Sequence, residues 1–246
     1  MHNYKLFIAY DGTKYNGFQK QIVHSDKTIQ GKLENVLSIL FKQDIQIIGS
    51  GRTDKGVHAK EQVCNFHTSV LMPCEDILAY LAQYLPKDIA VLRLSIASPR
   101  FHSRYNIIKK CYSYTIDNHL FADPFKLKYA YHIPQSLDIE KMRQAAKLLI
   151  GRHDFKSFTS LKSKKKPTLR TLMGIEITEK DSFIQIIYEA DGFLQHMVRI
   201  ITGTLIEVGL GLRDPLDLSV ILENKERSTA GPTAPPNGLC MEKVYY

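Results

Sequence analysis

Ser50-Gly51-Arg52-Thr53-Asp54-Lys55-Gly56-Val57-His58-Ala59 places one carboxylate between two cations on a loop bracketed by glycines. Arg52 and Lys55 are expected to hold Asp54 ionised, because a nearby positive charge favours the carboxylate form. An ionised carboxylate acts as a nucleophile or a general base, not as a general acid. Asp54 in this setting also fits a turn cap with the two cations merely solvated, so the loop alone leaves both readings open. Gly51 and Gly56 allow backbone angles and a close ligand approach that a side chain would obstruct.

Another charge stands out further along. The segment 194–208 is apolar on most sides, which marks a largely buried helix, yet it carries Arg199. A buried guanidinium without a partner is costly, so Arg199 must meet a carboxylate or a ligand. Glu207 lies on the same helix but more than two turns away, and Arg199 is therefore expected to orient Asp54. His196, Arg199 and Gly203 share one face, and Gly203 leaves room for another chain segment. Tyr112 and Tyr114 alternate along a strand and point to one side. Such tyrosines fill cores, stack on bases, or assist proton transfer through the hydroxyl.

Basic residues gather in two acid-free stretches. Residues 98–110 contain Arg100, Arg104, Lys109 and Lys110, and residues 162–170 contain Lys162, Lys164, Lys165, Lys166 and Arg170. Either run fits a solvated loop or a set of phosphate contacts. The chain as a whole carries 33 lysines and arginines against 25 acids, a formal charge of +8 that favours a polyanionic partner.

Other chemistries lack their signatures. The nine histidines form no H-E-x-x-H and no compact ligand set, and the four cysteines form no C-x-x-C pair. No phosphate-binding P-loop, dinucleotide fingerprint or G-x-S-x-G element occurs. No metal and no cofactor are expected, and the cysteines read as reduced and structural. The N-terminus enters a strand pattern directly, without a basic-then-apolar leader, and no apolar run has spanning length. A cytoplasmic protein without membrane association is expected.

The frame for these residues is legible as alternating elements. A strand at 4–10 leads into a glycine-containing loop at 11–19, then a helix with Ile29, Leu33, Val36, Leu37, Leu40 and Phe41 on one face. Strands at 44–48 and 61–67 flank the Asp54 loop; a helix at about 75–85 stops at Pro86, and a strand follows at 89–97. From Cys111 the order recurs: a strand through Tyr112 and Tyr114, a helix at 138–150, strands at 171–178 and 183–190, helices at 194–208 and 216–223, and a strand at 239–245. The expected class is α+β, with two ferredoxin-like β-α-β-β-α-β halves at 1–105 and 106–246. These halves would form a mainly antiparallel sheet with helices on one face and a basic cleft between them.

Several segments together resemble the tRNA pseudouridine synthase A family. They are Tyr10-Asp11-Gly12-Thr13, the 51–59 loop, Phe101 with Arg104, Tyr112-x-Tyr114, His153-Asp154-Phe155, 191–199, Gly203-Thr204-Leu205 and 230–239, in order across nearly the whole chain. The resemblance implies a cofactor-free isomerase that converts uridine to pseudouridine in the tRNA anticodon arm, typically at nucleotides 38, 39 and 40, acting as a homodimer. It implies that Asp54 is the catalytic aspartate, Tyr112 the active-site tyrosine, Arg199 the arginine paired with the aspartate, and Arg52 a residue near the RNA. Phe18, Lys110 and Ile200 stand where the family commonly has tryptophan, arginine and asparagine, which bears on substrate range. Two other classes share parts of the pattern. A non-catalytic RNA-binding module has the same element order but expects aromatics on its central strands, and an RNA-cleaving enzyme expects a placed pair of histidines.

Overall fold

In β1 (His2–Tyr10) every second side chain from Tyr4 onward, Tyr4, Leu6, Ile8 and Tyr10, is buried, the period-two signature of a strand with one core face. The computed structural model describes residues 1–21, 23, 25–161 and 167–246. Contacts divide the chain into two units, Met1–Ile108 with Cys240–Tyr246, and Lys109–Leu239.

In the first unit, α1 (Ile29–Phe41) starts where the Thr28 hydroxyl accepts the Gly31 N–H at 3.2 Å, an N-cap that satisfies one free donor of the first turn. Ile29, Leu33, Val36, Leu37 and Phe41 bury the face set by the helical period, and Lys42 ends the helix in a left-handed conformation. The strand expected at 44–48 is reduced to β2 (Ile48–Gly49). The reason is local: Ile45 N–H donates to the Ser38 hydroxyl at 2.9 Å and Ile47 N–H to a Glu34 carboxylate oxygen at 3.0 Å. Side chains of α1 thus take donors that a neighbouring strand would otherwise use. β3 (His58–Thr68), α2 (Cys74–Tyr84) and β4 (Ile89–Ala97) complete the run. β1 lies between β3 and β4, antiparallel to both, and β2 pairs antiparallel with β3.

The second unit opens with β5 (Lys109–Asp117), against which the short β6 (Tyr131–His132) runs parallel. α3 (Ile139–Lys147) is capped by Asp138, whose carboxylate accepts the Lys141 N–H at 3.0 Å. β7 (Gly151–Asp154), β8 (Leu169–Lys180) and β9 (Phe183–Ala190) follow, and the antiparallel order is β5-β9-β8-β7. α4 (Met197–Gly209) is buried almost all round, and α5 (Asp217–Asn224) buries Leu218 and Ile221. β10 (Leu239–Tyr245), counted with the second half on sequence, pairs in parallel with β3 through Cys240 opposite His58 and Met241 opposite Ala59. The architecture is therefore mixed α/β with mainly antiparallel pairing. Among the described residues no helix is long and apolar enough to cross a membrane.

What covers α4 is the segment Ala230–Pro236. A Cβ on Gly203 would sit 1.9 Å from the Pro232 carbonyl oxygen, so the close approach requires glycine. Thr204 fastens the same segment, accepting the Gly231 N–H at 3.0 Å while donating to the Ile200 carbonyl at 2.8 Å. Gly203→Ala is expected to cost about 3 kcal/mol, the upper end for overpacking a well-filled core. Thermal unfolding should then shift down by about 6–12 °C. An unchanged melting temperature would show that the segment yields freely.

Candidate active site

The Asp54 loop is positioned by its neighbours in the first unit, above all by the loop after β1. The Tyr10 hydroxyl meets the Thr53 hydroxyl at 2.8 Å, buried, and the Phe18 N–H donates to the Thr53 carbonyl at 3.1 Å. Gly12 lies so close to the loop that a Cβ there would be 1.9 Å from the Val57 carbonyl oxygen, and its N–H donates to His58 Nδ1 at 3.1 Å. Gly56 N–H donates to the Tyr15 carbonyl at 3.3 Å. On the other flank the Gln62 amide accepts from the Ser50 hydroxyl and donates to the Gly51 carbonyl, each at 2.8 Å. Tyr15 is itself anchored by a hydrogen bond from its hydroxyl to Asp88 at 2.5 Å; burial first, then that carboxylate, raises its pKa above the ordinary tyrosine value. Within this clamp Asp54 is half-buried, and Arg52 and Lys55 are exposed on either side of it. A half-buried carboxylate on a hydrogen-bonded loop has the placement that nucleophilic or base catalysis needs.

In the second unit Tyr112 and Tyr114 lie on β5, opposite Tyr188 and Ile186 of β9. Tyr112 is 7% exposed and meets the edge of the Phe193 ring at 5.1 Å between centroids. Tyr114 is fully buried, its hydroxyl donating to the Pro235 carbonyl at 2.8 Å. Burial drives the Tyr114 pKa well above its ordinary value, against the opposing pull of the Arg199 charge. That makes Tyr114 a packing residue, whereas Tyr112 keeps a small exposed area.

Arg199 is half-buried on α4, not fully enclosed. Its Nε donates to the Ala234 carbonyl at 2.7 Å, and the Ala234 N–H donates to the Arg199 carbonyl at 3.0 Å. Part of the guanidinium therefore answers to a backbone carbonyl, a partner that the sequence argument did not consider. Glu207, the acid on the same helix, accepts from Arg213 Nε at 3.1 Å and Nη2 at 3.0 Å. Arg227 holds the other end of the covering segment through the Ala230 carbonyl and the Thr233 hydroxyl, both at 3.2 Å.

Of the basic residues, Arg52 and Arg104 are brought to one cavity in the first unit. Lys110 is half-buried on β5, and its neighbour Lys109 pairs with Glu189 at 2.8 Å. Lys164, Lys165 and Lys166 lie outside the described residues. Cys64 and Cys240 are held as thiols: burial pushes Cys240 up to about 12 and Cys64 higher still. Sequence reasoning gave no supporting role to Tyr10, Ser50, Gln62, His102 or Tyr105, although Tyr10 and Ser50 stand within the quoted motifs and His102 and Tyr105 flank Arg104.

The chain is similar to known proteins along its whole length. The profile of a family described as tRNA pseudouridine synthase matches residues 6–106 and 145–246. A protein of Bacillus sp. (strain KSM-64) named tRNA pseudouridine synthase A is 47% identical over 246 residues, spanning 100% of both chains. One from Clostridium tetani (strain Massachusetts / E88), named tRNA pseudouridine synthase A 1, is also 47% identical over 100% of both. One from Bacillus cereus (strain ZK / E33L), named tRNA pseudouridine synthase A 2, is 44% identical over the same full span. The solved structure of a dye-decolorizing protein from V. cholerae aligns with 91% of this chain and 88% of its own at a TM-score of 0.21 and 8% identity, too weak to carry an argument. With a family profile over most of its length and relatives this similar from end to end, the chain belongs to the tRNA pseudouridine synthase family, isomerases acting on uridine in tRNA.

Proposed function

We propose that this protein converts uridine to pseudouridine in the anticodon arm of tRNA without a cofactor, with Asp54 as the essential carboxylate. The observation that carries the reading is the clamp on the Asp54 loop, where Tyr10, Gly12, Tyr15 and Phe18 hold a half-buried carboxylate in place with Arg52 exposed two residues away. The reaction breaks the bond between N1 and C1′, turns the base, joins C5 to C1′, moves the C5 proton away and leaves a proton on N1. Neither redox change nor phosphate energy enters that balance. Asp54 starts it either by attack at C1′ or by removing the C2′ proton to give a glycal. Arg199 orients Asp54, Tyr112 takes the C5 proton, and Arg52 fills the space left by the flipped base. Arg104, Lys110, Lys164, Lys165 and Lys166 contact the tRNA backbone.

On this reading the ferredoxin-like halves, 1–105 and 106–246, share one basic RNA-binding cleft, and the enzyme works as a homodimer in the cytoplasm. Incubation with tRNA in buffer free of added cofactors, followed by chemical mapping of pseudouridine, tests the assignment. Binding without product indicates an RNA-binding module, and strand scission indicates a nuclease.

Two further outcomes are expected on this reading. Gly12→Ala drives a methyl group into the Val57 carbonyl and shifts the Asp54 loop, so the single-turnover rate should fall on the order of a hundredfold. The tRNA affinity should stay near normal; a normal rate would show the clamp to be dispensable. Replacing Lys164, Lys165 and Lys166 with alanine should weaken tRNA binding and flatten its salt dependence by about one counterion per lost phosphate contact. If affinity and slope both persist, these lysines are only solvated.

A further inference from the structure

A cavity of about 250 Å³ opens in the first unit beside the Asp54 loop, and Asp54 does not line it. In its wall Phe18 lies against Gly49, so closely that a Cβ on Gly49 would be 2.4 Å from the ring. His102 and Tyr105 line it too, their rings stacked at 4.1 Å between centroids and 26° between planes. Arg52 and Arg104 line the cavity as well.

The segment bearing the two rings is fixed from beneath by a buried polar network. Ser103, between them in sequence, donates its N–H to the Asn65 side-chain Oδ1 at 2.9 Å and its hydroxyl to the Ile48 backbone carbonyl at 2.5 Å. Asn65 donates to Asn3 at 3.0 Å, and Asn3 donates to the Ser98 and Phe101 carbonyls at 2.9 Å each. Asn3, Asn65 and Ser103 are at most 1% exposed. A satisfied buried network of this kind specifies one arrangement of the chain. Here it holds rigid a surface segment whose Tyr105 is 64% exposed, an arrangement that packing alone does not require. His102 accepts the Arg104 N–H through Nδ1 at 3.1 Å, so a neutral ring carries its proton on Nε2 as a donor.

We propose that this cavity is an accessory nucleotide pocket, separate from the place of isomerisation. It takes one unpaired base of the tRNA next to the target uridine, stacked on the His102–Tyr105 pair, with a flanking phosphate on Arg104. Stacking on aromatic faces beside guanidinium groups is how proteins hold single-stranded bases. The volume, below the roughly 300–1,000 Å³ of drug-sized sites, suits a single base. Holding a base that does not react supplies binding energy for orienting the one that does. The inference rests on the tRNA reading above.

The test uses the full chain and tRNA transcripts carrying a single abasic site at each anticodon-arm position in turn. One position other than the target should lose about tenfold in affinity for the wild type and lose nothing further for the His102→Ala/Tyr105→Ala variant. A 2-aminopurine base at that position should be quenched on binding the wild type and not the variant. Should the variant fold poorly, the wild-type scan and the quenching still decide. No coupled position, or coupling at the target uridine alone, overturns the proposal. Pseudouridine formation in the intact transcript is read separately: its absence with coupling retained would refute the proposed chemistry and leave the pocket standing.

Discussion

Asp54→Asn should remove pseudouridine formation while leaving tRNA affinity within about tenfold of the wild type. The amide has the shape of the carboxylate and keeps the loop contacts made through Tyr10, Thr53, Gln62 and the backbone. What it lacks is the negative charge needed to attack C1′ or to take the C2′ proton. Both routes fail together, so the prediction does not depend on choosing between them. The measurement is a single-turnover assay with enzyme in excess over tRNA, accompanied by a binding titration. Residual turnover above a trace would mean that another group starts the reaction.

The second large effect concerns Tyr112. Tyr112→Phe keeps the ring, its edge contact with Phe193 and its place opposite Tyr188, and removes only the hydroxyl. A tyrosine that merely packs or stacks would lose little. If the hydroxyl accepts the C5 proton after the new bond forms, the single-turnover rate should fall about a hundredfold or more with tRNA affinity close to normal. Full turnover would return Tyr112 to a structural part. Tyr114→Phe serves as the internal contrast, since its hydroxyl is committed to the Pro235 carbonyl. That change should lower stability by about 1 kcal/mol through the unsatisfied carbonyl and leave the chemical step unaffected.

Elements with a strong local period were legible from the residues themselves. The apolar face of α1 follows from the helical period and the span of β9 from side-chain alternation, neither of which needs knowledge of the partner. Elements defined by their partners were not. Asp44–Ile48 has strand composition, yet its donors go to Ser38 and Glu34, and composition does not say which acceptor arrives first. β6 and β7 are too short to carry a period and exist only because β5 and β8 run beside them.

The candidate site divides along the same line. By itself the sequence determined which groups are available: a carboxylate between two cations, an arginine on an apolar helix, two alternating tyrosines and two acid-free basic runs. Residue types and their short spacings specify such chemistry directly, and they sufficed to raise the family resemblance. Only the tertiary structure decided what holds these groups. The loop after β1 clamps the Asp54 loop, Ala234 meets Arg199 from 35 residues away, and Asn3 and Asn65 fix the segment that carries His102 and Tyr105. Each of these contacts ends on a backbone carbonyl or N–H, or on an amide that could serve many partners. Every residue offers such groups, so identity alone does not choose among them; the choice is made by which segments the folded chain brings together.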